Sequence, residues 1–391
     1  MTNRIHFQPA SQVGNAGDQL INLASVAALR RFGEVFVNDL ETPEWFIEAI
    51  RADGERRFSE IAPRHFHANL ALHALRGKLA GEHQQQYLVL APGHTSRSGW
   101  KAARAAFGWY ARLLLLRVLG CRVVRAGFSI GPFDRINTWV ECFGSLAFHF
   151  YGLRDRESQA LARRFRFFRP RYFPDLAWSY VPPVRSAPAP SSGPVVVSFR
   201  SNAFGSVHDA AYLRPLGERL RQLLATPGLD GKAIVVAFQV ESDREAAAEL
   251  FEYLRSHGAP ASLRDEQLSI GAAVALYSGA CCVISNRLHV LLLAAQSGTL
   301  PVALARGNDN GKITSILADN GCADLVLNLV DSEAVSRARI AALLQARGEI
   351  LQRLSRARRH NALRIEQGLE RIFRTADRAR RHRSATADAS Y

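Results

Sequence analysis

Residues 285–305 read Ser285-Asn286-Arg287-Leu288-His289 and then VLLLAAQSGTLPVALA. The apolar residues Cys281 to Ile284 in front predict a buried strand, Ser285-Asn286-Arg287 a polar turn, and Leu288 to about Gln296 a helix. Gly298 breaks that helix and Pro301 opens a second strand. Strand, helix and strand at this spacing form a βαβ unit. In such a unit a ligand sits at the carboxyl end of the first strand, where the helix offers N–H groups and a positive dipole end to an anion. Arg287 and His289 stand at that spot. Residue types alone leave a second reading open, in which Ser285 or Asn286 caps the helix and His289 packs on the sheet.

The same alternation extends outward from this unit. On its amino side the sequence predicts a strand from Val195 to Phe199, ending at Arg200-Ser201-Asn202, and a helix from about Tyr212 to Leu224. A strand from Ala233 to Phe238, a helix capped by Ser242-Asp243 and reaching His257, and a short helix from Ile270 to Tyr277 follow. On its carboxyl side, after the strand Val302 to Ala305, Gly311-Lys312 starts another helix. Such alternation predicts a doubly wound parallel sheet.

Residues 181–194, VPPVRSAPAPSSGP, read as a stiff Pro-rich linker. Ahead of it the pattern repeats. A strand spans Arg4 to Phe7, and the loop Gly14-Asn15-Ala16-Gly17-Asp18 turns into a helix from about Asp18 to Phe32. Strands are predicted at Val35 to Asn38, Tyr87 to Ala91, Cys121 to Phe128 and Phe148 to Leu153, with a polar helical stretch over 55–86 and an apolar helix from Trp100 to Leu119. The strand ending at Phe128 leads into a small-residue turn, and Arg154-Asp155 close the one ending at Leu153.

The expected domains are 1–180 and 195–331, both Rossmann-like, facing a cleft in the manner of glycosyltransferase B enzymes. A helical segment over 332–374 carries an apolar stripe, Ala362, Ile365, Leu369, Ile372 and Phe373, expected to pack on the body. Residues 375–391 read as a frayed basic tail.

A chain of 391 residues with 48% hydrophobic content fits two domains with sizeable cores. No apolar run reaches the roughly 18 residues that cross a bilayer, and the start of the chain lacks a signal-peptide pattern, so the expectation is a cytoplasmic protein. Five cysteines without CxxC spacing fit reduced thiols in a core. The histidines between 65 and 83 have no ligand-like spacing, and no metal is expected. The net charge is +15, and from Leu351 to Tyr391 eleven Arg stand against four acids. No nucleic-acid-binding signature accompanies this charge. Anionic substrates or an anionic membrane leaflet explain it, as do solvated helix faces.

Several short segments stand in order: Gly14-Asn15-Ala16-Gly17-Asp18, AGFSIGPF at 126–133, Leu153-Arg154-Asp155-Arg156-Glu157-Ser158, Pro174-Asp175-Leu176-Ala177, VVVSFR ending at Arg200, the Arg287-Leu288-His289 unit, and Gly311-Lys312. Together they resemble the polysaccharide pyruvyl transferase family, which moves pyruvate from phosphoenolpyruvate onto two hydroxyls of a sugar as a cyclic ketal. The resemblance implies phosphoenolpyruvate as donor substrate with no cofactor, and a saccharide acceptor that can be lipid-linked. It also implies a cell-envelope role, in which the basic tail would be a peripheral membrane contact.

Phosphoenolpyruvate presents a carboxylate and a phosphate, groups that Arg binds bidentately. Arg200 and Arg287 at strand ends, Lys312 at a helix start and Asn286 beside Arg287 are the expected donor-binding residues. His289 is the candidate acid that protonates the methylene carbon, because imidazole beside an anion favours its protonated form. Asp18 is the candidate base for the sugar hydroxyls. Asn15, Arg154 and Asp155 are the acceptor-side candidates, although the Arg154-Asp155 pair reads equally as a structural clasp in which Asp155 caps the helix that follows. The competing reading is a glycosyltransferase of the same architecture that uses a nucleotide sugar.

Overall fold

The computed structural model describes residues 3–9, 12–51, 55–80, 84–183, 191–202, 208–306 and 311–387, with side chains as far as Phe373. The chain divides into two compact units. Unit 1 comprises Met1–Val13, Ile21–Ser179 and Asn361–Tyr391; unit 2 comprises Gly14–Leu20 and Tyr180–His360.

Unit 1 is built on strands β1 (Asn3–Gln8), β2 (Gly33–Val37), β3 (Arg56–Arg57), β4 (Gln86–Leu90), β5 (His94–Arg97), β6 (Arg122–Phe133), β7 (Phe150–Leu153) and β8 (Pro170–Tyr172). Their order is β3-β2-β1-β4-β6-β7-β8, with β5 pairing β6, and every pairing is parallel. Unit 2 is built on β9 (Val195–Ser198), β10 (Ile234–Val236), β11 (Ala261–Leu263), β12 (Cys282–Ser285), β13 (Leu300–Ala305) and β14 (Val326–Asn328). Its order is β11-β10-β9-β12-β13-β14, again all parallel. Numbered from its own first strand, that is the 3-2-1-4-5-6 order of a Rossmann sheet, which reverses direction between β9 and β12.

Parallel sheets are covered on both faces, so their strands are apolar throughout. All residues of β9, β12 and β13 are buried. The helix Leu288–Gln296 buries Leu288, Val290, Leu291, Leu292, Leu293 and Ala294, which accounts for its unbroken apolar run. Each of the Leu and Val side chains among them contributes roughly 1.5–3 kcal/mol on burial.

Several elements depart from the sequence reading. β6 does not stop at Phe128 but runs to Phe133, because β5, formed from the HTSR segment, gives its second half a partner. β3, β8, β11 and β14 are strands of two or three residues, too short to leave a periodic signal. The expected helix over 55–86 is shorter, Phe66–Leu79. The middle of the expected linker, 184–190, lies outside the described residues.

The C-terminal helix is a single element, Arg347–Ala387, rather than a segment ending in a frayed tail at Thr375. From Asn361 onward it belongs to unit 1. There Phe373 stacks on Phe32 at 5.4 Å and meets Tyr87 at 4.6 Å, and Ile365, Leu369 and Ile372 are buried. All five cysteines are free thiols, as expected.

Candidate functional site at the sheet reversal of unit 2

Side chains from β12 stitch its carboxyl end to that of β9. The Ser285 hydroxyl donates to the Ser198 carbonyl at 2.5 Å and accepts from the Arg287 N–H at 3.0 Å. Asn286 Oδ1 accepts from the Arg200 N–H at 2.9 Å, and its Nδ2 donates to the Arg200 carbonyl at 3.0 Å. Asn286 is 2% exposed, and its carboxamide both donates and accepts in this clasp. Expected as a donor ligand, it holds the backbone of Arg200. Neither Ser285 nor Asn286 caps the following helix; Arg287 holds the N-cap position and no side chain caps it.

Arg287 forms an ion pair with Asp243, which follows β10. Burial pushes the Asp243 carboxyl up, against the opposing pull of Arg287. Burial, and after it the neighbouring Arg287 guanidinium, lower the pKa of Arg200. Like charges thus crowd this spot, and an anion placed there would relieve them. The Arg200 side chain is hydrogen-bonded to Tyr212, and the Arg306 guanidinium at the end of β13 lies 5.3 Å from the centre of the Tyr212 ring. Lys312 occupies the first turn of the helix Gly311–Asp319 and is half-buried.

The loop at Gly14 belongs to this unit as well. Asn15 forms an antiparallel bridge with Val240, the Ala16 N–H donates to the Gln239 carbonyl at 2.9 Å, and Gln267 Nε2 donates to the Gly14 carbonyl at 3.1 Å. Asn15 Oδ1 accepts from the Gly17 N–H at 2.9 Å, which shapes the turn into the helix Ala16–Leu29. A Cβ added at Gly17 would lie 2.6 Å from His289 Nδ1, so the imidazole packs against the bare backbone of that turn. Asp18 is the next residue, half-buried. Asn15, Asp18 and His289, expected in different domains, therefore stand in one unit.

Arg154 and Asp155 do not join them. Arg154, 4% exposed, pairs with Asp175 at 2.6 Å and donates from Nε to the Ser129 hydroxyl at 2.8 Å. Asp155, 2% exposed, accepts from the Ser158 N–H at 2.6 Å and from the Ser129 hydroxyl at 2.6 Å. Both belong to a buried clasp in unit 1, with Asp155 capping the helix Arg156–Arg164, which is the structural alternative of the two readings the sequence left open. The sequence reading missed Asp243, Tyr212 and Arg306. The first two resembled a helix cap and a helix residue, whereas Arg306, at a strand's carboxyl end, carried the same signal as Arg200.

The fold has counterparts among solved structures. Anabaena HepE, solved in complex with UDP, is 12% identical, with a TM-score of 0.60 over 95% of this chain and 100% of that one. A glycosyltransferase from Rickettsia africae is 11% identical, with a TM-score of 0.58 over 96% of this chain and 98% of that one. A UDP-forming trehalose-phosphate synthase from Burkholderia vietnamiensis is 13% identical, with a TM-score of 0.54 over 96% and 100%. These likenesses show the glycosyltransferase B fold. No curated protein matches the sequence significantly. The profile of the polysaccharide pyruvyl transferase family matches residues 15–308, a span that begins in the Gly14 loop and runs past Arg306, and the chain belongs to that family.

Proposed function

We propose that the protein transfers pyruvate from phosphoenolpyruvate to two hydroxyls of one sugar in a polysaccharide or its lipid-linked precursor, forming a cyclic ketal and releasing phosphate. The observation that carries this reading is the convergence of Arg200 and Arg287 at the sheet reversal, with the His289 imidazole two residues further along the chain and packed against Gly17. In this scheme Arg200, Arg287, Arg306 and Lys312 hold the donor's carboxylate and phosphate. Asp243 fixes the Arg287 fork from behind.

His289 gives a proton to the methylene carbon, and the C=C electron pair forms the new C–H bond, leaving a cation at the central carbon. A sugar hydroxyl attacks that carbon and loses its proton to Asp18. The second hydroxyl then displaces phosphate, and its proton leaves with the phosphate. The arginines stabilise the departing charge.

A nucleotide-sugar glycosyltransferase is the second reading, favoured by the likeness to HepE solved with UDP. Thermal stabilisation of the purified protein by phosphoenolpyruvate, against a panel of nucleotide sugars, separates the two. A ligand at 100 times its dissociation constant adds about 2.7 kcal/mol. A shift with phosphoenolpyruvate alone is expected, and a shift with a nucleotide sugar instead would discard pyruvyl transfer.

A further inference from the structure

Residues 100–171 of unit 1 contain fourteen Lys and Arg against four acids. Two of those acids are buried: Asp155 in its clasp, and Glu141 beneath Arg97, Tyr110 and Tyr151, with carboxylate contacts of 2.7, 2.5 and 2.9 Å. A third, Asp134, caps the helix Arg135–Ser145. The exposed side of this region is therefore strongly cationic, a concentration separate from that of the C-terminal helix.

The helix Trp100–Val118 is apolar on two sides. Its inner side buries Ala103, Ala106, Tyr110, Leu113 and Leu116. Its outer side exposes Trp100 at 70%, Phe107, Leu115 and Val118, with Lys101, Arg104 and Arg112 exposed among them and no acid in the helix. Phe107 stacks on Phe143 at 5.0 Å, which continues the apolar surface onto the helix Arg135–Ser145. There Trp139, 69% exposed, borders a hollow of about 360 Å³ also lined by Phe133 and Phe165. Arg163, Arg164, Arg166 and Arg169 are exposed around Phe165.

Exposed Trp and Phe ringed by Arg suit the headgroup layer of a bilayer, where aromatic rings sit among lipid phosphates. No helix among the described residues is long and apolar enough to cross a membrane, so such a surface would lie on the bilayer. A second copy of the chain is a poorer occupant, because a symmetric contact would press like charges together. We infer that this face of unit 1 docks on an anionic lipid surface, with Trp100, Phe107, Trp139 and Phe165 entering the headgroup layer and the surrounding arginines holding phosphates. The inference rests on surface chemistry alone and is independent of the reaction proposed above.

Flotation of the full chain with mixed phosphatidylglycerol–phosphatidylcholine vesicles, beside pure phosphatidylcholine, tests it. The variants are Lys101→Gln with Arg104→Gln, and Trp100→Ala with Trp139→Ala, each checked for unchanged thermal unfolding. Binding to the anionic vesicles alone is expected, weakened about thirtyfold by the charge pair and roughly tenfold by the tryptophan pair. Equal binding to both vesicles, or none, would overturn the inference. So would binding untouched by either variant, which would move the contact to another part of the chain. A dimer that the tryptophan pair dissociates would make the face a self-interface, and preference for duplex DNA over vesicles would assign the cations to nucleic acid; both overturn it.

Discussion

Arg154 of unit 1 and Arg287 of unit 2 occupy matching places, each just beyond the carboxyl end of an interior parallel strand with a helix following, yet their surroundings differ. Arg154 is 4% exposed, faces the fully buried Asp175, and shares Ser129 with Asp155. Its charge is matched and its donors are used inside the fold. Arg287, with 20% of its side chain exposed, shares Asp243 with a second guanidinium nearby, and a third lies over Tyr212. The first arrangement is a closed clasp; in the second, among the described residues, two guanidiniums stand near one carboxylate. An arginine at a strand end is thus a structural tie where buried carboxylates and hydroxyls enclose it, and a candidate ligand group where guanidiniums gather around a shared acid.

The largest expected effect breaks the clasp. Arg154→Ala leaves the buried Asp175 carboxylate without its ion pair and should cost unit 1 about 3–5 kcal/mol. Trp178, buried next to Asp175, would report this in denaturant unfolding by fluorescence. A midpoint close to wild type would show that the clasp contributes little.

The next effect is set by pH and also belongs to unit 1. His6 is buried on β1, its Nε2 2.9 Å from Gln86 Oε1, and burial lowers its pKa from 6.5 to about 4. The unfolded chain therefore binds this proton first, so stability falls as pH drops from 6.5 and the loss levels off below 4. The full difference is about 3 kcal/mol. His6→Gln, which has no proton to take up, should flatten that part of the stability curve; an identical slope in both proteins would refute the assignment.

In unit 2 the corresponding loss is one of binding. Arg200→Ala and Arg287→Ala should each abolish most of the roughly 2.7 kcal/mol of stabilisation from saturating phosphoenolpyruvate. Arg200→Ala should leave the unliganded melting temperature near wild type, because it removes a crowded cation. A donor-induced shift that survives both changes would leave the cluster without its proposed role.

Gly17→Ala gives the smallest change in the fold, about 1–2 kcal/mol, since the new methyl meets the His289 ring at 2.6 Å and one of them must move. Turnover should fall about a hundredfold while the donor-induced shift persists, because the acid is displaced and the anion site is not. Unchanged turnover would remove His289 from the chemistry.

Much of the architecture was legible in local pattern. The run from Cys281 to Ala305, the alternation on either side and the ordered short motifs identified both parallel-sheet units and the family. Arg200, Arg287 and His289 could be singled out as candidates because strand ends and helix starts are visible in a single stretch of chain. The structural part of Asn286 was not legible because its two hydrogen bonds go to Arg200, far away in sequence and adjacent only because β9 pairs with β12.

Local sequence sets the βαβ periods, the apolar faces and the residue chemistry at each strand end, since these depend on neighbours a few positions apart. Only the tertiary structure decided that the Gly14 loop closes on His289, that Asp243 and Tyr212 flank the arginines, that Arg154 is neutralised, and that the helix from Asn361 returns to unit 1. Strand order brings those groups together, and strand order is set by packing over the whole chain rather than by any one stretch of it.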